Sequence, residues 1–481
     1  MRFLSNFKSS CTSQPALLGQ GLVLSALVLL LAGCAVGPVY QTPATAQVST
    51  FKEAEGWVIA APADTLEHGP WWLLFNDALL TDLVSRVDVS NQNVAQAVAA
   101  YAQARAVVRE QRASLLPVVS LNGGGNRSAT AGANGRVGNN YQLSIGGSWE
   151  PDVWGRLGRA VDSASASASA SSGDLSSARL SAQGELAINY FSLRQVDAQQ
   201  ALLAATLAGF RRALDITQNR YTAGVVARTD VLQAQSQLSS ALAEEAGLQR
   251  QRAQLEHAIA VLTGEAPGNF SIAPLAPGNW QPVVPAVPVG VPSTLLQRRP
   301  DIAAAERRVA AANAQIGIAQ SAYYPSFSLG ASYGFGASRV ADLFQASSSV
   351  WSLGLSAAQA LFNAGATSAK VAAAEASQAQ AVARYRQTVL TAFADVENQL
   401  AATRVLLTQQ QLRADASTAA DQVEQQVFNR YRSGQVGYSE VINAQATALN
   451  ARRALAQSVA DRQTTAVALI QSLGGGWQAE P

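Results

Sequence analysis

The chain has 481 residues, a formal charge of +2 and only 14% charged residues, well below the ~25% of typical soluble domains. Near-neutrality argues against a basic nucleic-acid binder, and no nucleic-acid partner is expected. Two cysteines confined to the first 34 residues exclude a disulfide scaffold, and with His68 and His257 as the only histidines a Cys/His metal centre lacks ligands.

At the N-terminus Arg2 and Lys8 precede an apolar run, Leu22 to Leu31, followed by Ala32, Gly33 and Cys34. A charged start, a short apolar run and small residues predict a secretory signal peptide over residues 1–33. The run is shorter than the ~20 residues of a bilayer span. The ending Leu-Ala-Gly-Cys resembles the lipobox of bacterial lipoproteins. That resemblance implies cleavage before Cys34, S-diacylglycerol on its thiol and an acyl group on its amine; no cofactor is expected. Ala35, in place of the aspartate that favours inner-membrane retention, implies the outer membrane. The alternative is an ordinary signal peptide with an incidental cysteine. Loss of residues 1–33 removes Arg2 and Lys8, and the +2 becomes zero. No later stretch is apolar enough for a helical span, so deeper insertion must use strands.

The remainder repeats itself. Residues 220–235 (RYTAGVVARTDVLQAQ) match residues 430–445 (RYRSGQVGYSEVINAQ) at seven of sixteen positions. Residues 143–154 match 351–362, and 185–194 match 395–404, at nearly the same offset. The expected organisation is a segment 34–76, a first repeat 77–264, a Pro-rich linker 265–300, a second repeat 301–476 and a tail 477–481. Each repeat reads as helix, two strands and a long helical hairpin.

In chain order, Pro117 ends the first helix of repeat one, as proline's missing N–H predicts. Residues 141–149 then alternate apolar Tyr141, Leu143, Ile145 and Trp149 with Gln142, Ser144, Gly146 and Ser148. Repeat two shows the same after Pro325, in residues 327–335 and 351–355. Such runs match the ~9–11 residues of a tilted membrane strand. A soluble hairpin with one buried face shows the same alternation. Four strands cannot close a barrel, and open edges are forbidden in lipid. Spanning strands therefore require several chains to share one barrel. Residues 160–219 and 366–429 lack proline and predict helices of about 90 Å at 1.5 Å per residue. Gly224 and Gly434 read as their hairpin tips. His257 reads as structural, and the serine runs as helix surface.

At this point a family emerges. The ordered set is Cys34 after Leu-Ala-Gly, Asp-Val-Trp-Gly at 152–155, Leu-Arg at 193–194, Arg-Arg-Pro-Asp at 298–301 and the paired Arg-Tyr tips. Over residues 34–476 the chain resembles the TolC-type outer-membrane factors, in the lipoprotein branch similar to OprM and NodT. The resemblance implies an α+β membrane protein: a trimeric 12-stranded β-barrel, four strands per chain, continuing into a 12-helix coiled-coil periplasmic tunnel, with an equatorial mixed domain. It implies a homotrimer that anchors in outer-membrane lipid. That trimer would act as a passive, non-enzymatic exit duct for small molecules, docked to a periplasmic adaptor (membrane fusion protein) and an inner-membrane pump of the resistance-nodulation-division class. A duct for type I protein secretion and a pore-less coiled-coil lipoprotein are the alternatives.

By position, the resemblance assigns a periplasmic gate to Asp230 and Glu440, with Tyr431 and Tyr438 as latch partners. Three copies of a carboxylate ring repel one another, although acids also favour any helix N-terminus. Some relatives carry an arginine where this chain has Val436. Adaptor contact falls on Gly224, Val225, Val226, Gly434, Gln435 and Val436, which also suit plain turns.

Overall fold

The computed structural model describes residues 35–46, 48, 50–54, 70–129, 137–276, 278–287 and 298–475. The expected signal peptide, Cys34 and the tail 477–481 lie outside the described residues. Repeat one comprises α1 (Ala78–Ser90), α2 (Gln92–Ala113), β1 (Val118–Ala129), β2 (Val137–Trp149), α3 (Arg156–Thr222) and α4 (Arg228–Leu262). Repeat two comprises α5 (Pro300–Ser321), β3 (Ser326–Ala337), β4 (Ser349–Ala358), α6 (Ala366–Arg432) and α7 (Tyr438–Ser472). Corresponding helices have equal lengths: α2 and α5 22 residues, α3 and α6 67, α4 and α7 35. Among the described residues no helix is long and apolar enough to cross a membrane.

The chain divides into two compact units. The first contains the strands and the described N-terminal residues up to Thr42. Its sheet runs β1-β2-β3-β4, antiparallel throughout, leaving β1 and β4 as edges. The register aligns Leu121, Ile145, Tyr333 and Trp351 in one row, and Ser120, Gly146, Ser332 and Ser352 in the next. Odd-numbered residues therefore share one largely apolar face and even-numbered residues the other. Leu121, Trp351, Leu353 and Leu355 are 68–74% exposed in the single chain. An apolar face this large, left uncovered, marks a membrane or partner surface.

The turn before α3 explains the Asp-Val-Trp-Gly motif. Asp152 accepts the backbone N–H groups of Leu157 (2.9 Å) and Gly158 (2.6 Å), two of the helix's orphan donors. Trp154 stacks on Tyr324 at 4.8 Å and donates its indole N–H to the Pro325 carbonyl at 2.7 Å.

The second unit holds the main core. Phe75, Leu80 and Val84 pack with Leu186 and Tyr190 of α3, Val396 and Leu400 of α6, and Val467 and Ile470 of α7. The Tyr190 hydroxyl donates to Asp77 at 2.6 Å. Burial, then that hydrogen bond, pushes its pKa far above the usual tyrosine range, while Arg194 opposes. Farther along α3, Val196, Leu203, Leu207 and Phe210 follow heptad-like spacing in a second cluster. Asn91 caps α2 and donates to the Leu262 carbonyl at 2.8 Å, tying it to the end of α4.

Beside this core lies an ionic knot. The Asp197 carboxylate is fully buried, pairs with Arg194 (3.0 Å) and Arg252 (2.8 Å), and accepts the Leu275 backbone N–H at 3.2 Å. Arg194 donates to the Ala273 carbonyl and Arg252 to the Ile272 carbonyl, while Glu256 accepts the Ile272 N–H. Two helices thus clamp the Pro-rich segment through its backbone. Arg299 of the Arg-Arg-Pro-Asp motif pairs with Asp301 and Asp395 and donates to the Ser472 carbonyl at the end of α7. The expected mixed domain differs in one respect: among the described residues of 35–76 and 265–300 there is no strand. Prolines 267, 274, 282 and 285 remove donors a ladder would need, and side chains satisfy the backbone instead.

Candidate functional site at the hairpin tips

Each hairpin turns at a glycine in the left-handed region. Gly224 has φ +73° and Gly434 φ +76°. At the first tip the Gly224 N–H donates to the Tyr221 carbonyl (2.9 Å) and the Val225 N–H to that of Arg220 (2.8 Å). At the second, Gly434 bonds to Tyr431 (3.0 Å) and Gln435 to Arg430 (2.9 Å). This nested pair is the Schellman stop, and its positive φ demands glycine. A β-carbon on either glycine meets no atom within 4 Å, so the tips are open. Gly224, Val225, Gly434 and Gln435 are exposed; Val226 and Val436 are half-buried.

The returning helices begin after Ala227 and Gly437, neither of which supplies a side-chain cap. Asp230 and Glu440 sit in the first turns, their N–H groups donating to the Ala227 (3.1 Å) and Gly437 (3.2 Å) carbonyls. Asp230 is half-buried and Glu440 exposed. Among the described residues neither carboxylate has a hydrogen bond or ion pair. The chain carries the two acids at matching positions but does not join either to a tyrosine.

The tyrosines do meet each other. The Tyr431 and Tyr438 rings lie 5.5 Å apart at 53°. Tyr438 is buried with Val441 and Ala234, while the half-buried Tyr431 has a shielded, unpartnered hydroxyl. Burial, with Tyr431 adding to it, pushes Tyr438 from 10 up to about 12. A raised tyrosine pKa stabilises the folded tip fully below pH ~10, a contribution lost as pH rises through about 12. Arg220 of α3 lies over the Tyr431 ring at 5.3 Å, a cation–π contact between the two repeats. Sequence reasoning missed Arg220, although the repeated Arg-Tyr pair pointed to it. The repeats differ here: Tyr221, the counterpart of Tyr431, is 39% exposed.

Above the tyrosines a cavity of about 610 Å³ opens between α3, α6 and α7, lined in part by Arg212, Phe428, Tyr431 and Gln445. At its margin Arg452 pairs with Asp421 (2.8 Å) and Glu424 (2.7 Å). His257 is exposed on α4, and among the described residues no cluster of three or more His, Cys, Asp or Glu could hold a metal.

The family model described as outer membrane efflux protein matches residues 83–265 and 291–475. The chain is 30% identical over 457 residues to Outer membrane protein OprJ of Pseudomonas aeruginosa, covering 94% of this chain and 95% of that protein. It is 31% identical over 439 residues to Pyoverdine export outer membrane protein OpmQ of Pseudomonas putida, covering 88% and 92%. The solved structure of the outer-membrane channel OprN superposes with a TM-score of 0.86 at 30% identity, covering 92% of this chain and all of that one.

Proposed function

The chain belongs to the outer membrane efflux protein family and is an outer-membrane efflux channel, and from that premise we propose that it is the passive exit duct of a tripartite system, docked to a periplasmic adaptor and a resistance-nodulation-division pump. The carrying observation is the four-stranded sheet with two unpaired edges and one apolar face. Such a sheet is stable in lipid only when closed. Three copies supply the 12 strands of the expected barrel. The pyoverdine exporter among its relatives favours small-molecule cargo over protein. Single-channel recording of purified trimer in planar bilayers tests the reading: discrete conductance steps are expected, and their absence overturns it.

The lipid anchor on Cys34 is part of the proposal. Support comes from the residues that follow it. Val36 N–H donates to the Trp154 carbonyl at 3.0 Å, and Asn313 donates its side-chain amide to the Pro38 carbonyl at 3.1 Å. A β-carbon on Gly37 would lie 2.6 Å from the Gly317 Cα, so backbone approaches backbone there. An acylated residue just upstream of Ala35 would start from this fixed strap, at the junction of helix and strand. Each buried methylene then contributes ~0.8 kcal/mol to membrane binding. Cys34→Ala is expected to lack the acyl mass by intact-mass spectrometry; an unchanged lipid mass refutes the site.

The gate proposal rests on Asp230 and Glu440 being unpaired at helix starts, so that three-fold symmetry would face like charges toward one axis. The adaptor would meet the glycine tips and their flanking Val225, Val226, Gln435 and Val436. Glu440→Ala should raise the conductance of the undocked channel; unchanged conductance removes Glu440 from the gate.

A further inference from the structure

Within the chain the two hairpin tips meet through one set of residues. Arg220 of α3 lies over the Tyr431 ring of α6 at 5.3 Å. Around that contact Ala213, Tyr431 and Ile442 pack on the buried Tyr438 and Val441. The first hairpin presents an arginine, and the second receives it on a tyrosine. The repeat carries the same pair again at an offset of 210, the offset that relates Gly224 to Gly434. Arg430 stands on the second hairpin where Arg220 stands on the first. Tyr221 stands on the first hairpin where Tyr431 stands on the second.

Inside one chain these counterparts are unused. Val423, Tyr221 and Leu232, at the positions equivalent to Ala213, Tyr431 and Ile442, are 52%, 39% and 53% exposed. Arg430 is exposed as well, and among the described residues its guanidinium has no hydrogen bond, ion pair or ring partner. Val423 and Arg430 belong to the second hairpin, Tyr221 and Leu232 to the first. Each hairpin therefore carries one half of a contact that the chain does not complete. Exposed apolar residues beside a free cation fit a matching surface, and a second copy of this chain carries it. Three copies hold six hairpins, and closed rotational symmetry sets the second hairpin of each copy beside the first hairpin of the next. We infer that Arg430 of each copy lies over the ring of Tyr221 of the partner subunit, with Val423 beside Leu232 of the partner subunit. The contact seen within the chain is thereby repeated at the seam between copies. The mouth of the duct is then held by six arginine–tyrosine contacts, three inside copies and three between them, and the latter must part when neighbouring copies separate. This rests on the duct reading above, which supplies the ring.

No cysteine follows Cys34, so paired cysteines report the seam directly. The full chain carrying Arg430→Cys with Tyr221→Cys, treated in membranes with a short bismaleimide, should run as covalent dimers and trimers on denaturing gels. Arg220→Cys with Tyr431→Cys, bridged inside each chain, should remain monomeric. Absence of the ladder from the first pair overturns the inference, and so does an equal ladder from the second. The chemistry of the contact is read in planar bilayers. Tyr221→Ala and Arg430→Gln should each raise the mean current through undocked trimer by about two- to fivefold, the range of an exposed cation–π contact. Combining them should add nothing further, and Tyr221→Phe, which keeps the ring, should match the unsubstituted channel. Additive effects, or a current for Tyr221→Phe as high as for Tyr221→Ala, overturn the inference. The two readings fail separately: a conducting trimer without the ladder sinks the seam contact alone, and no conductance steps from the unsubstituted trimer sink the duct itself.

Discussion

Asp197→Ala should lower the stability of the folded chain by about 3–5 kcal/mol, the usual result of removing one partner from a buried ion pair. The reason is geometric. Its carboxylate is fully buried and faces two guanidiniums that are themselves only 11% and 13% exposed. Truncation leaves Arg194 charged, desolvated and without a carboxylate partner, leaves Arg252 with Glu256 alone at 3.2 Å, and orphans the Leu275 N–H. The same carboxylate secures the Pro-rich segment, so the loss should be local before it is global. Limited proteolysis is expected to cut between Phe270 and Val287 first, with a lower denaturation midpoint in detergent. An unchanged midpoint and digestion pattern would show that the prolines and the core alone hold the segment.

Leu353→Arg should be the most damaging change in the sheet. On the lipid face of a membrane barrel a midplane arginine costs about 2–4 kcal/mol, and a trimer incurs that three times. Little folded trimer should survive in the outer membrane, read as loss of the heat-modifiable band on unboiled gels. Ser352→Arg, one residue away and on the opposite face, should still assemble, since its side chain has room where Gly330 and Gly354 leave space. Equal assembly of the two variants would mean that the faces are misassigned. The contrast between neighbours follows from the two-residue period of a strand.

These two residues also mark how much the sequence could say. Leu353 was legible, because Trp351, Leu353 and Leu355 alternate with serine and glycine and the period exposes the face directly. The tips were legible for a similar reason: glycine is nearly obligatory where φ is positive, and the same glycine recurred after Arg-Tyr in each half. Asp197 was not legible. A lone aspartate one turn after an arginine reads as a solvated helix surface pair, and the partners that bury it, Arg252 and Leu275, lie 55 and 78 residues away. The helix expected over residues 160–219 begins four residues earlier, at Arg156, because the Asp152 carboxylate that receives the Leu157 and Gly158 N–H groups is brought there by the turn's backbone geometry. Arg220 needed the second repeat to be folded against the first before its ring partner existed.

The equal helix lengths of the two repeats act as a ruler. Helices of 67 and 35 residues in each half bring both glycine tips to the same count from the first residue of their long helix. One extra heptad in a single hairpin would preserve its apolar seam yet carry its tip about 10 Å farther. Six tips in a trimer would then form a castellated edge instead of a flush one, and a partner that meets them end-on would touch only every second crest. Length changes in this chain are therefore coupled: an insertion tolerated by the packing of α3 and α4 is compatible with docking only if α6 and α7 grow by the same amount.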